Sequence, residues 1–315
     1  MKKPLLFIYI AALVLLMTAC GSGPAVSGSG ERQIVTTVFP AYDFARQVAG
    51  ERATVTLLVP PGAEIHSFEP TAKDVLRIRN SDLFVCAGGE SEAWVEELLE
   101  GQDEEIETLI MLECVDALEE EIKEGMQETH EEEEDGEEGP EYDEHVWTSP
   151  VNAQRICRAI ADRLSALDPD GAPIYAENCE RYCEELAALD EEFRAIVAQG
   201  KRRTVIFADR FPVRYFVEEY GLDYFAAFPG CAEDTEPSAR TVAFLIDRVR
   251  EEGIPAVFTI EFSNEKMADV ICEDTGCKKL LFHSCHSVTP EQLSAGISCV
   301  QLMRGNAEAL REALR

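Results

Sequence analysis

The feature that most constrains this chain is an alternation that occurs twice. From Gln33 onward the short β-rich runs QIVTTV, ATVTLLV, DLFVCA and ETLIML are separated by amphipathic segments near Tyr42, Thr71 and Ser91. After Gly200 the pattern returns: TVIFA, LDYFAAF, PAVFTI and KKLLFH read as strands, and residues 212–220, 237–252, 264–275 and 290–315 as helices. Repeated strand, helix, strand implies a parallel sheet with covering helices in each half. Between the halves, Ser149 and Pro150 form a helix start that runs to about Leu167, where Asp168-Pro169-Asp170-Gly171 stops it. Tyr175, Cys179, Tyr182, Leu186, Leu189, Phe193 and Ile196 then recur at alternating steps of four and three, one apolar stripe on a helix over 173–199 of roughly 40 Å. The expected fold is α/β, with two lobes, each a mainly parallel sheet with covering helices, joined by a long rigid helix. The lobes are placed at 33–167 and 201–315, with the connecting helix at 168–200.

The N-terminus sets the compartment. Lys2 and Lys3 precede an apolar run from Leu5 to Met17, too short for a span of about 20 residues and suited to a secretory signal. Thr18-Ala19-Cys20-Gly21-Ser22 has the form of a bacterial lipobox, so residues 1–19 are expected to be cleaved and Cys20 to carry lipid, anchoring the protein outside the cytoplasm. Residues 20–32, mostly Gly, Ser and small residues, read as a tether.

Composition narrows the partners. With 46% hydrophobic residues the chain is not disordered as a whole, and 61 acidic against 28 basic residues give a formal charge of −33. That charge repels polyphosphate, excluding nucleic acid and favouring cations. The acid concentrates in an expected loop at 119–144, where fifteen carboxylates and one lysine surround His130. Such a run is expected to stay solvated and mobile and to offer weak metal capture.

Histidine is scarce, five in 315 residues, and four of the five lie in loops between strand and helix patterns. His66 lies in PPGAEIHSFEP, His145 in YDEHVWTSP, and His283 and His286 in FHSCHSVTP. Loops at strand C-terminal ends are where α/β lobes build ligand sites, and three or four imidazoles make a zinc site. His66 and His145 are the first candidates; of His283 and His286, one is expected to ligate and the other to support.

GAEIHSFEP, DEHVWTSP, DPDGAPIYAENCERYCEELAALDEEF and RYFVEEYGL resemble the solute-binding lipoproteins of zinc and manganese ABC transporters, over nearly the whole of 33–315. The resemblance implies metal held in the cleft between two lobes and delivered to an ABC permease by a monomer. In that family a third histidine lies five residues before the tyrosine matched by Tyr215, and here that position is Arg210. A guanidinium cannot ligate a cation, so His283 or His286, near the family's final carboxylate position, is expected to replace the missing ligand. Asp209 and Glu261 are candidate carboxylate ligands or partners for Arg210. Zinc is expected over manganese because imidazole-rich sites suit zinc.

Ten cysteines remain besides Cys20. Cys86, Cys157 and Cys299 fall in strand or helix patterns as reduced core residues, and Cys231 and Cys285 lie where they could approach the metal. The phosphate-loop, H-E-x-x-H and G-x-S-x-G signatures are missing. A binding protein is therefore expected rather than an enzyme. The alternatives are a manganese-binding homologue, an adhesin on the same fold, or a zinc hydrolase with Glu64 or Glu261 as general base.

Overall fold

The computed structural model describes residues 31–63, 68–100, 106–126, 141–232 and 237–315. The signal sequence with Cys20, most of the tether, His66, Glu64 and His130 lie outside them. Among the described residues, eight strands and ten α-helices follow in the expected order. The first half contains β1 (Arg32–Thr36), α1 (Phe39–Ala49), β2 (Ala53–Leu57), α2 (Ala72–Arg79), β3 (Leu83–Cys86), α3 (Ala93–Glu100) and β4 (Thr108–Ile110). Then come α4 (Pro150–Leu167) and the long α5 (Ala172–Gln199). The second half contains β5 (Thr204–Arg210), α6 (Arg214–Tyr220), β6 (Asp223–Phe228), α7 (Ala239–Glu252), β7 (Ala256–Thr259), α8 (Lys266–Thr275), β8 (Lys278–Leu281), α9 (Pro290–Ser294) and α10 (Cys299–Ala313).

Each half folds into a four-stranded parallel sheet, ordered β2-β1-β3-β4 and β6-β5-β7-β8. The two orders are the same, so each sheet reverses its winding beside its first strand, where open α/β sheets form a crevice at the strands' carboxyl ends. The loop carrying His283 and His286 leaves β8 at such an end, and residues 58–63, toward His66, leave β2 there. A register shift between Phe207 and Arg210 in the β5–β6 ladder falls at the site end of β5, where a bulge re-aims side chains.

The sequence marks the helix starts chemically. Ser149 accepts the Asn152 amide hydrogen, Ser238 that of Thr241, and Thr71, Thr289 and Ser298 form capping boxes with Asp74, Gln292 and Gln301. The 290–315 segment, read as one helix, is two. Gly296, in the left-handed region at φ 71°, turns the chain, and Ser298 starts α10. β1 begins at Arg32, the last residue assigned to the tether, because its guanidinium pairs with Asp82 at 2.6 Å.

All seven residues of the α5 stripe are buried. The helix packs on α1 and α4 on one side and on α10 and α6 on the other, so one apolar core runs from Ile34 and Val85 through Tyr182 and Phe193 to Phe207 and Phe282. Edge-to-face contacts continue this path from Phe193 to Phe216 (4.8 Å between ring centres) and from Phe216 to Phe282 (5.1 Å), the residue before His283.

Asp43 on α1 is fully buried at the junction. It accepts hydrogen bonds from Tyr182 Oη of α5 (2.6 Å) and the Cys299 amide at the start of α10 (2.7 Å), and it pairs with Arg46 at 2.7 Å. Arg46 also donates to the Gly296 and Ile297 carbonyls. Asp43→Ala would leave these donors unmatched and should cost about 3–5 kcal/mol in urea unfolding, the range for breaking a buried pair. Asp43→Asn, which keeps an acceptor oxygen, should cost less.

Candidate metal centre

His145 follows the acidic run and is completely buried. Asp143 Oδ1 accepts the His145 backbone N–H at 2.8 Å and lies 3.1 Å from Nδ1. A carboxylate only accepts, so Nδ1 carries the hydrogen and Nε2 is left as the lone-pair nitrogen, the arrangement found behind metal-bound histidines. Burial disfavours the charged ring, but the charge and hydrogen bond of Asp143, with Glu144 and Glu120 nearby, outweigh it and raise the pKa above the ordinary value.

The FHSCH turn after β8 brings the second imidazole. Glu261 organises it: its carboxylate accepts the Ser284 amide (2.7 Å), the Ser284 hydroxyl (2.7 Å) and the His286 amide (3.1 Å). Cys285, at φ 63°, is held in the left-handed region that non-glycine residues rarely enter. From the other lobe Trp147 Nε1 donates to the Ser284 carbonyl at 2.9 Å. The rings of His145 and His286 then lie edge to face with centres 5.0 Å apart, and Trp147 sits 5.5 Å from the first and 5.2 Å from the second.

His283 is engaged differently. Its backbone exchanges two hydrogen bonds with the Asn306 side chain on α10, and its Nδ1 accepts the Cys285 amide hydrogen at 3.0 Å. Asp209 accepts amide hydrogens from Arg210 (2.9 Å) and Ile260 (3.4 Å), and burial pushes its carboxyl up against the Ser263, backbone and Arg210 interactions. Arg210 donates to the Ala232 carbonyl at 3.2 Å, tying the end of β5 to the FPGCA loop. In that loop Gly230 lies against the His145 ring, where a Cβ would come within 3.3 Å of Cε1, and Cys231 Sγ donates to Glu144 Oε1 at 3.2 Å. Cys285 is buried, its Sγ facing the His283 carbonyl at 3.9 Å.

The described arms of the acidic run are ordered, contrary to a wholly solvated loop. Glu119 bridges Tyr142, Tyr215 Oη links the Leu118 amide to the Asp143 carbonyl, and Glu120 accepts the Gly230 and Cys231 amide hydrogens. Lys123 pairs with Asp223 and lies 4.2 Å over the Tyr224 ring, and Gly125, at φ 91°, meets Phe244 so closely that no Cβ would fit. Like-charge repulsion loses here because Asp143, Glu144 and Glu120 point at separate donors. Asp143, Glu120, Ser284 and Gly230 support the candidate site and were missed by the sequence reading; Asp143, two residues before a histidine, and Ser284, between two of them, had a local signal.

Among the described residues no three His, Cys, Asp or Glu side chains are grouped to hold a metal ion. What they bring together is one imidazole from each lobe. The segment leading to His66 approaches the same place: the Gly62 amide donates to Ser287 Oγ, next to His286, at 2.9 Å. Glu261→Ala should loosen the turn, seen as faster amide hydrogen exchange at Ser284 and His286 with exchange in β1 and β3 unchanged.

In sequence and fold the chain is similar to known zinc-uptake proteins. Residues 34–313 match the family model described as zinc-uptake complex component A, periplasmic. The chain is 31% identical to the high-affinity zinc uptake system protein ZnuA of Bacillus subtilis, over 97% of this chain and 96% of that one. It is 33% identical to the zinc-binding lipoprotein AdcA of Streptococcus pneumoniae over 99% of its own length, and spans 61% of that relative. The Zn(II)-bound ZnuA-like domain of Streptococcus pneumoniae AdcA superposes with a TM-score of 0.74 at 31% identity, covering 90% of this chain and 99% of that domain. The match over residues 34–313, nearly all of both lobes, establishes that the chain belongs to the family of periplasmic zinc-uptake components.

Proposed function

We propose that this protein captures Zn2+ outside the cytoplasm between its two lobes and passes it to an ABC permease, with His66, His145 and His286 as the imidazole ligands. The observation that carries this reading is the His145–His286 pair. Two imidazoles sharing a tetrahedral zinc at Zn–N distances of about 2.0–2.1 Å have ring centres about 5 Å apart, and 5.0 Å is the separation here. His66 follows Gly62 by four residues, a reach of at most roughly 14 Å, and Gly62 is already bonded beside His286.

Arg210 stands where the family places a histidine, and its contact with Ala232 gives it a structural use. His286 supplies the imidazole from the second lobe instead. His283, with Nδ1 engaged by the Cys285 amide, supports the turn, as Glu261 does. Because Asp209 and Glu261 each accept backbone amide hydrogens, the donor set stays rich in nitrogen, which favours zinc over manganese. One chain carries all three imidazoles, so a monomer suffices, and lipid on Cys20 would hold it at the membrane. The role is binding and delivery, not hydrolysis: the candidate base Glu261 is occupied in shaping the turn.

Zinc calorimetry with a competing chelator tests the assignment. His145→Ala and His286→Ala should each weaken binding by more than the roughly 10–100-fold expected for Asp143→Asn, which removes only the partner of Nδ1. His283→Ala should have a smaller effect than His286→Ala. Unchanged affinity in both the His145 and His286 variants would reject the site.

A further inference from the structure

Ten cysteines are present as free thiols among the described residues, and one pair differs from the rest. Cys272 lies in the last turns of α8, and Cys277 immediately precedes β8. Their sulfurs are 3.5 Å apart, and both residues are half-buried at the surface edge of the second lobe. The cap between them explains the approach. Gly276 is in the left-handed region at φ 77°, and its amide donates to the Cys272 carbonyl at 2.9 Å. This ending folds the residue after the glycine back over the last helical turn, where an apolar contact commonly forms. Here two thiols occupy that contact.

The other close pairs are less suited to exchange. Cys179 and Cys183 are 3.9 Å apart on one face of the continuous α5 and are buried in its packing. Cys285 and Cys299 are both buried within the core. Only Cys272 and Cys277 combine proximity, a non-helical connection that can adjust, and access from solvent, the conditions a disulfide needs.

We propose that Cys272 and Cys277 form a disulfide-forming site that reacts with small or protein disulfides outside the cytoplasm. This goes beyond zinc capture and does not depend on it. The Cys277 thiolate attacks one sulfur of the oxidant disulfide, forming a mixed disulfide and releasing the first thiolate. Cys272 then gives up its proton and attacks Cys277 Sγ, forming the internal bond and releasing the second thiolate. Two protein thiols are oxidised, one disulfide is reduced to two thiols, and the two protons pass to the departing sulfurs. Burial and the hydrogen bond to Cys277 push the Cys272 thiol up, so it stays protonated while Cys277 makes the first attack. The bond would close a six-residue ring across the cap of α8, a short loop whose closure gives a modest gain.

The reduced full-length protein, incubated with glutathione disulfide, alkylated and digested, provides the test. The expected result is loss of two hydrogens, a crosslinked Cys272–Cys277 peptide, the remaining thiols still alkylated, and a melting temperature higher by a few degrees. Cys272→Ser should trap glutathione on Cys277 while keeping the zinc affinity of the parent. Full alkylation of both thiols after incubation, a crosslink elsewhere, or a glutathione adduct that persists on Cys277 of the parent protein would overturn the proposal.

Discussion

The buried carboxylate of Asp43 is the point at which three otherwise separate pieces of the chain are fixed together. It stands on α1 of the first lobe, takes the Tyr182 hydroxyl of the connecting helix, and takes the first amide of α10 from the second lobe. A negative charge at a helix N-terminus is favourable in itself, and Arg46 keeps the carboxylate paired while holding the turn between α9 and α10. With α5 packed against helices of both halves, this junction gives them a shared core and fixes the spacing at which their loops meet. An imidazole pair 5 Å apart, one from each half, depends on that spacing.

The candidate site rests on carboxylates that shape loops as well as on the imidazoles. Asp143 sets the tautomer of His145, Glu261 folds the FHSCH turn, and Glu120 reaches across to the amides of Gly230 and Cys231. Each meets N–H or O–H donors with good geometry, which is how anionic groups remain buried without cancelling the fold's stability. Trp147 contributes from the other direction, its indole bonded to the turn that carries His286. The strained backbone of Cys285 is thus held by contacts from both lobes, and the position of the His286 ring follows from them.

The arms of the acidic run join this framework. Their carboxylates and Lys123 contact the second lobe at Gly230, Asp223 and Tyr224, and the paired strand-like segment around Glu119 and Tyr142 brings Asp143 and His145 to the cleft. The loop therefore bridges the lobes at its base.

Hydrophobic periodicity was enough to specify the eight strands, the α5 stripe and the α/β class, because period 2 and period 3.6 are local properties of the chain. The start of α4 was legible for the same reason: Ser149 with Pro150 caps itself within three residues. His145 was readable as a candidate site residue from its loop, but the imidazole that its ring faces was not. Whether His283 or His286 faces it turns on Asn306, Glu261 and Trp147, which are distant in sequence and meet only when both sheets and α10 are assembled. Charge density likewise predicted a solvated acidic loop, since the amides and aromatic rings that order its arms belong to the other lobe. Local spacing determined which elements form. Only the packed structure decided which side chains converge, because convergence depends on hydrogen bonds and core contacts between residues up to 256 positions apart.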